Sequence, residues 1–403
     1  MLDRLFLSIA LVGLISCTVF LILTVISILR FRWRSRRSGT PDPARWPRVT
    51  LLKPLCGMEP QLKRSLESFF LQEYPDFEII FGTRDASDPA LGVVESLQRR
   101  YPWVDVKVVY SGEPYHPNAK VCSLEKMIDA STSDYFIFSD SDVHVESNYI
   151  HEVVRPLLDP QVGAVTCLYR GVPTGGIWSR LEALGMSVEM TAGVMVAELL
   201  EGMKFTLGPT MATRREVVEQ TGGIGMLAEY CSDDYLLGNR IAELGYKVVL
   251  SDHVIEHIVL NRSFLASWLH QVRWMKSTRF SRPKGHLGTS LTFAMPFGLL
   301  GFYAGTSMHN PKLAFGLLGY AIANRLVLGF TAGWGVVRDR NAVLFSWLYP
   351  VRDFLGFCFW AASYVGRTIV WRGENYRLEL GGIMVRVDAE ESESAQIPVD
   401  RLA

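Results

Sequence analysis

The sequence predicts an α/β protein, with a mainly parallel sheet held between membrane helices at its two ends. Three observations predict it. Apolar runs lie near both ends of the chain, short apolar strands alternate with helical stretches between residues 46 and 284, and acidic residues follow directly on several strands. Alternation at that spacing argues for a parallel sheet. Such sheets bind ligands at the carboxyl ends of their strands.

The 403 residues exceed one compact domain of about 100–200 residues. Lys plus Arg number 41 and Asp plus Glu also number 41, so the basic excess of a nucleic-acid binder is missing and no nucleic-acid partner is expected. A hydrophobic fraction of 49%, a charged fraction of 20% and a mean hydropathy of +0.16 exclude a disordered chain and weigh against an ordinary soluble enzyme. The six cysteines include no Cys-x-x-Cys pair, which gives neither a disulfide framework nor a zinc site and fits a reducing cytoplasm.

The run Leu5 to Leu29 is long enough to span a bilayer and is followed by Arg30, Arg32, Arg34, Arg36 and Arg37. Basic residues behind the run predict an uncleaved anchor over 1–31 with a cytoplasmic domain after it. Residues 290–368 are apolar again, with candidate spans at Leu291–Met308, Leu313–Val337 and Ala342–Val365. Three full spans would put Arg367, Arg372 and Arg377 outside, against the positive-inside rule, so one segment is expected to be re-entrant or to lie flat. Arg325 and Asp353 fall inside candidate spans, where unpaired charge is costly, and are expected to pair, with Arg352 turned toward the headgroups. Residues 369–386 read as a short tail and 387–403, rich in Glu and Ser, as disordered.

Between these ends, over 46–284, strands are expected at Val49–Leu52, Phe77–Gly82, Val104–Tyr110 and Tyr135–Phe138, with helices near Leu62–Leu71, Ala90–Arg100 and Val121–Ala130. Three acidic sites follow. Asp85 comes after the second strand, Asp140-Ser141-Asp142 after the fourth, and Asp233-Asp234 opens a later helix. Two carboxylates one residue apart at a strand end can hold Mg2+ or Mn2+ and leave positions for a diphosphate. Taken singly, each site also reads as a loop, turn or helix cap. A fourth element, Gln271-Val272-Arg273-Trp274, brings an arginine fork suited to phosphate on a helix that also reads as interfacial. His116, Asn118 and Lys120 are further donor candidates, or a plain loop. Met190 and Met195, in the apolar stretch Leu184–Lys204, read either as core or as the lining of an acyl-chain groove.

In this order, Asp, Asp-x-Asp, Asp and then Gln271-Val272-Arg273-Trp274 resemble the family-2-like GT-A glycosyltransferases, whose last element is Gln-x-x-Arg-Trp; here one residue, not two, separates Gln271 from Arg273. The whole chain resembles the ceramide glucosyltransferases, and within them the bacterial hopanoid-associated branch. The resemblance is carried by Lys53-Pro54-Leu55-Cys56-Gly57, Asp140-Ser141-Asp142-Val143, Thr166 to Gly171, Trp178-Ser179-Arg180-Leu181, Trp371-Arg372-Gly373 and Tyr376-Arg377-Leu378. Asp142 matches the bacterial branch, because the animal ceramide enzymes lack that second carboxylate. The resemblance implies a GT-A nucleotide-sugar-binding domain that transfers glucose or N-acetylglucosamine, with inversion, from a UDP-sugar to a ceramide or hopanoid-like lipid. It implies Asp85 at the uracil or ribose with Lys53 nearby, Asp140 at the donor and Asp142 on the metal. Asp234 would be the base, and Gln271, Arg273 and Trp274 would close over the diphosphate. A processive polysaccharide synthase would need more packed membrane helices than the sequence offers. A non-catalytic scaffold would be favoured by loss of Asp140, Asp142, Asp234 or Arg273, and all four are present.

Overall fold

The computed structural model describes residues 1–35, 42–261, 263–371 and 373–387. Arg36, Arg37 and Arg372, and the expected disorder beyond residue 387, lie outside the described residues.

The chain begins with α1, Leu2–Ser35, and enters the sheet at β1, Val49–Pro54. Helices and strands then alternate: α2 (Leu62–Phe70), β2 (Phe77–Thr83), α3 (Ala90–Arg100), β3 (Asp105–Tyr110), α4 (Ala119–Ala130) and β4 (Tyr135–Phe138). Each expected element is present within about two residues of its expected bounds. β1 is buried along its whole length, as a central parallel strand covered on both faces requires. Next come β5 (Val143–His144), α5 (Tyr149–Val154), β6 (Val162–Pro173), α6 (Gly176–Leu184), α7 (Thr191–Glu201), β7 (Met211–Arg214), α8 (Arg215–Gln220), α9 (Asp233–Glu243) and β8 (Lys247–Val259). The eight strands are ordered β3-β2-β1-β4-β7-β6-β8-β5. β3, β2, β1 and β4 are mutually parallel, and β6 and β8 are parallel to each other. β7 is antiparallel to both β4 and β6. The ends of β1, β2, β4, β6 and β8 and the start of β7 therefore share one edge. Chain order reverses direction between β1 and β4, the switch point where such sheets open a crevice.

After β8 come α10 (Phe264–Ser281), α11 (Pro283–Thr289), α12 (Met295–Ser307), α13 (Pro311–Leu328), α14 (Arg340–Leu344) and α15 (Tyr349–Ala362). Then β9 (Thr368–Trp371), β10 (Glu374–Leu378) and β11 (Met384–Arg386) form a second, antiparallel sheet. This sheet takes up the short tail expected over 369–386. It hydrogen-bonds to the α/β domain, so domain and sheet share one side of any bilayer. The crossings between Pro283 and Thr368 must then be even in number. Two candidates fit: the pair Pro283–Thr292 and Met295–Ser307, bent by 47°, and the helix Pro311–Trp334, which runs through α13 and a π-helical end. The third expected span, Ala342–Val365, is corrected: α14 and α15 are separate helices of 5 and 14 residues, too short for the ~20 that a crossing needs. Gly176–Glu201 is also apolar enough to span, but it leaves β6 and returns to β7 within one sheet and 67% of its apolar window is buried in the protein.

Asp353 and Arg325 pair as the sequence led us to expect, with Nη1 2.9 Å from Oδ1 and both side chains 2% exposed. The pair sits at the bend before α12. Asp353 Oδ2 accepts from the backbone N–H groups of Ala294 and Met295, and Arg325 donates to the carbonyl of Thr292. Backbone groups freed by a break inside a bilayer need such partners. Arg352 does not reach the headgroups. It is 4% exposed and donates to Gln271 Oε1 (2.9 Å) and pairs with Glu189 (3.1 Å).

Arg325→Leu and Asp353→Leu should each cost about 3–5 kcal/mol, because each leaves a buried charge uncompensated. The double variant should lose less than the sum, as melting in detergent will measure; additive losses would dismiss the pairing.

Candidate active site

Of the acidic sites singled out between residues 46 and 284, all except Asp85 converge on the edge where β1 and β4 end. Lys53, the last side chain but one of β1, is fully buried; its Nζ lies 3.6 Å from the Phe69 ring centroid and donates to Ser139 Oγ (3.2 Å) and to the carbonyl of Asp140. Burial pushes its ammonium down to about 7, against the pull of Asp140 and Asp142. Lys120, in the first turn of α4, lies 2.6 Å from Asp140 Oδ1 and 3.7 Å from Asp233 Oδ2. Burial alone would raise the Asp140 carboxyl, but Lys120 outweighs it and holds the group below the usual carboxylate range.

Asp234 lies in the first turn of α9. Its Oδ2 accepts from the Gly208 N–H (2.8 Å) and its Oδ1 from the Tyr235 N–H (2.7 Å). Gly208 leaves the gap between the two acids open: a Cβ there would lie 3.2 Å from Asp234 Oδ2 and 3.5 Å from Asp140 Oδ2. Burial, and then the neighbouring Asp233, push the Asp234 carboxyl up to about 6, with Lys120 opposing. A carboxylate that titrates near neutrality and faces a gap is placed to exchange a proton.

The other side of the edge is closed by β8. His257 Nε2 lies 3.7 Å from Asp142 Oδ2, and the His257 and Tyr169 rings are 5.2 Å apart. Asp142 Oδ1 and His257 Nδ1 are both buried without a hydrogen-bond partner. Buried polar atoms are normally satisfied, so an unused atom on each of these two neighbouring side chains marks a place for a ligand.

The residues 7–384 match the family model described as glycosyl transferase family 21. The chain belongs to that family. It is 24% identical over 383 residues to ceramide glucosyltransferase 1 of Caenorhabditis elegans, covering 93% of this chain and 80% of that one. It is 36% identical over 127 residues to the ceramide glucosyltransferase of Komagataella phaffii, covering 30% of this chain and 25% of that one. Its fold resembles a mannosyltransferase from Pyrobaculum calidifontis solved with GDP-Man and Mn2+, at a TM-score of 0.53, 17% identity, and coverage of 86% and 99%. The α/β domain of this family 21 chain is thus a GT-A-like glycosyltransferase fold.

A divalent metal fits the residues present. A carboxylate and an imidazole with unused atoms suit Mn2+ or Mg2+. Among the described residues no group of three or more His, Cys, Asp or Glu is placed to hold a metal by itself. His257 was not singled out in the sequence. Its only signal is a polar residue inside an apolar strand, legible once β8 is known to end at this edge.

Four expected site residues, Gln271, Met190, Met195 and Asp85, lie elsewhere. Gln271 is 4% exposed and its Oε1 accepts from Arg352, which fastens α10 to α15. Met195 is fully buried in the domain core, where its carbonyl accepts from Ser27 of α1, and Met190 packs half-buried on the same core. Met195 thus takes the core alternative that the sequence also offered. Asp85 is exposed at the rim beyond β2, its Oδ1 accepting from the Ser87 N–H at 2.7 Å. Asn118 is buried; its Oδ1 caps α4 by accepting from the Val121 N–H, and its Nδ2 reaches Asp233 Oδ1 at 3.4 Å. His116 is exposed beside Glu229. Trp274 is half-buried, its ring 4.4 Å from that of His270.

Asp142→Asn and His257→Ala should each weaken Mn2+ binding in the presence of UDP by about tenfold or more, with melting in the absence of metal little changed. Calorimetric titration of the purified chain checks this, and an unaltered affinity removes that residue from the ligand set.

Proposed function

We propose that this chain transfers a hexose from a UDP-sugar to the hydroxyl of a membrane lipid, with ceramide as the acceptor class, by one inverting displacement. The observation that carries the reading is the facing pair of acids across Gly208: Asp140 held ionised by Lys120, and Asp234 raised to about 6. The names of the relatives support ceramide and glucose.

The acceptor oxygen attacks the anomeric carbon while the bond to UDP breaks. Asp234 takes the hydroxyl proton, and the departing electron pair stays on the diphosphate. Arg273 is the cation for that developing charge. A divalent ion, when bound at Asp142 and His257, would neutralise the diphosphate as it leaves. Gly208 and Tyr235 hold the Asp234 carboxylate through two backbone N–H groups, which fixes the direction of proton transfer. Arg30, Arg32 and Arg34 at the end of α1 support a cytoplasmic domain by the positive-inside rule.

Asp234→Asn should abolish transfer while UDP binding stays within about twofold of the parent chain, because only the base is lost. Turnover at the parent rate would remove Asp234 from the role. The base works when deprotonated, so kcat/KM should hold above about pH 6 and fall about tenfold per unit below it. A profile flat down to pH 4.5 contradicts that. Mass spectrometry of membranes supplied with ceramide and UDP-glucose or UDP-N-acetylglucosamine should show a new hexosyl lipid only when this chain is present.

A further inference from the structure

The sheet β9–β11 follows the membrane helices in sequence yet meets the chain just ahead of Asp233. Met384 N–H donates to the Glu229 carbonyl (2.8 Å), Cys231 N–H donates to the Gly382 carbonyl (2.9 Å), and Tyr230 and Ile383 bridge as antiparallel strand residues. Gly382, at φ +87°, allows the turn; a Cβ there would strike Ser281 Oγ. Residues 229–231 thus add to this sheet, and the chain leaves it directly into the catalytic turn.

The helix α10 is tied to the same place. Ser277 Oγ lies 2.6 Å from Ser232 Oγ and Ser281 Oγ donates to Ser232 Oγ at 3.0 Å. Arg273, Ser277 and Ser281 are spaced by four, so they share one face of α10, and that face meets the segment leading to Asp233. The sheet reaches this helix as well: Lys276 Nζ donates to the Thr368 carbonyl (2.9 Å), Gly381 N–H donates to the Phe280 carbonyl (3.1 Å), and the Arg273 guanidinium lies 5.8 Å from the centre of the Trp371 ring. Trp371 itself packs half-buried on a small core of Phe280, Ile369, Tyr376, Leu378 and Met384. An arginine above a tryptophan face gains attraction and loses rotamer freedom.

We infer that the C-terminal sheet is a wall of the donor site, and that Trp371 is a positioning residue holding Arg273 in the pose that receives the nucleoside diphosphate. The inference rests on the transferase reading above and adds to it a group supplied from beyond the membrane helices. The donor site is then complete only when the membrane segments have folded and brought residues 368–387 back to the domain.

The test uses the full chain in detergent, with UDP and Mn2+ as the probe in calorimetry and with steady-state kinetics alongside. Trp371→Leu, which keeps apolar packing and removes the ring, should weaken UDP binding about tenfold and raise the donor KM by the same factor, leaving the acceptor KM unchanged. Trp371→Phe should stay within about threefold of the parent. Trp371→Leu combined with Arg273→Ala should bind UDP no more weakly than Arg273→Ala alone. Unchanged UDP affinity in Trp371→Leu, equal loss in the Phe variant, or additive loss in the double variant each overturns the inference. Trp371→Met replaces the Leu variant if that one does not fold. A parent chain that binds no UDP would sink the transferase reading itself, and this inference with it.

Discussion

Four carboxylates, Asp140, Asp142, Asp233 and Asp234, are gathered at one edge of a buried sheet, and the constraint on the whole domain is to keep them apart in charge. Two largely buried lysines do it. Lys120 sits between Asp140 and Asp233, and Lys53 passes under the β1–β4 switch point to the Asp140 carbonyl. One acid is thereby held ionised while its neighbour across Gly208 rises to about 6. Neighbouring titratable groups whose surroundings push them in opposite directions divide the chemical roles between them. The sheet order, the reversal between β1 and β4 and the antiparallel insertion of β7 all serve that arrangement, because they bring five strand ends and the Gly208 turn to one line.

A second constraint comes from the membrane. The bend before α12 exposes backbone groups where water is scarce, and Asp353, Arg325 and the Cys17 thiol of α1 satisfy them. The residue beside Asp353 then faces the other way: Arg352 grips Gln271 of α10 and Glu189 of the π-helical segment between α6 and α7. Two adjacent residues of α15 therefore join the membrane bundle to the helix that carries Arg273. Gly185 belongs to this joint, since a Cβ there would overlap the Arg352 guanidinium.

The first half of the domain was legible because β1 to β4 are local, apolar and separated by helices with clear faces. β6 and β8 were not, since their pairing spans about 85 residues in sequence and polar residues such as His253, Glu256 and His257 interrupt the apolar pattern. The four acids at the sheet edge and Lys120 were legible from position after strands and from the motif order. The run Gln271-Val272-Arg273-Trp274 gave the helix but not its faces: at about 100° per residue Gln271 and Arg273 point about 200° apart, and Gln271 turns to Arg352. The Met190 and Met195 stretch was ambiguous for a physical reason, because a core helix and a lipid-lining helix have the same composition. The C-terminal sheet was hidden because its partners, Glu229 to Cys231, lie about 150 residues earlier.

The central claim is a single displacement driven by one base, Asp234. The configuration at the transferred anomeric carbon tests it most directly. Starting from an α-linked UDP-hexose, proton NMR of the lipid product should show the β-anomer alone. An α-linked product would contradict the account.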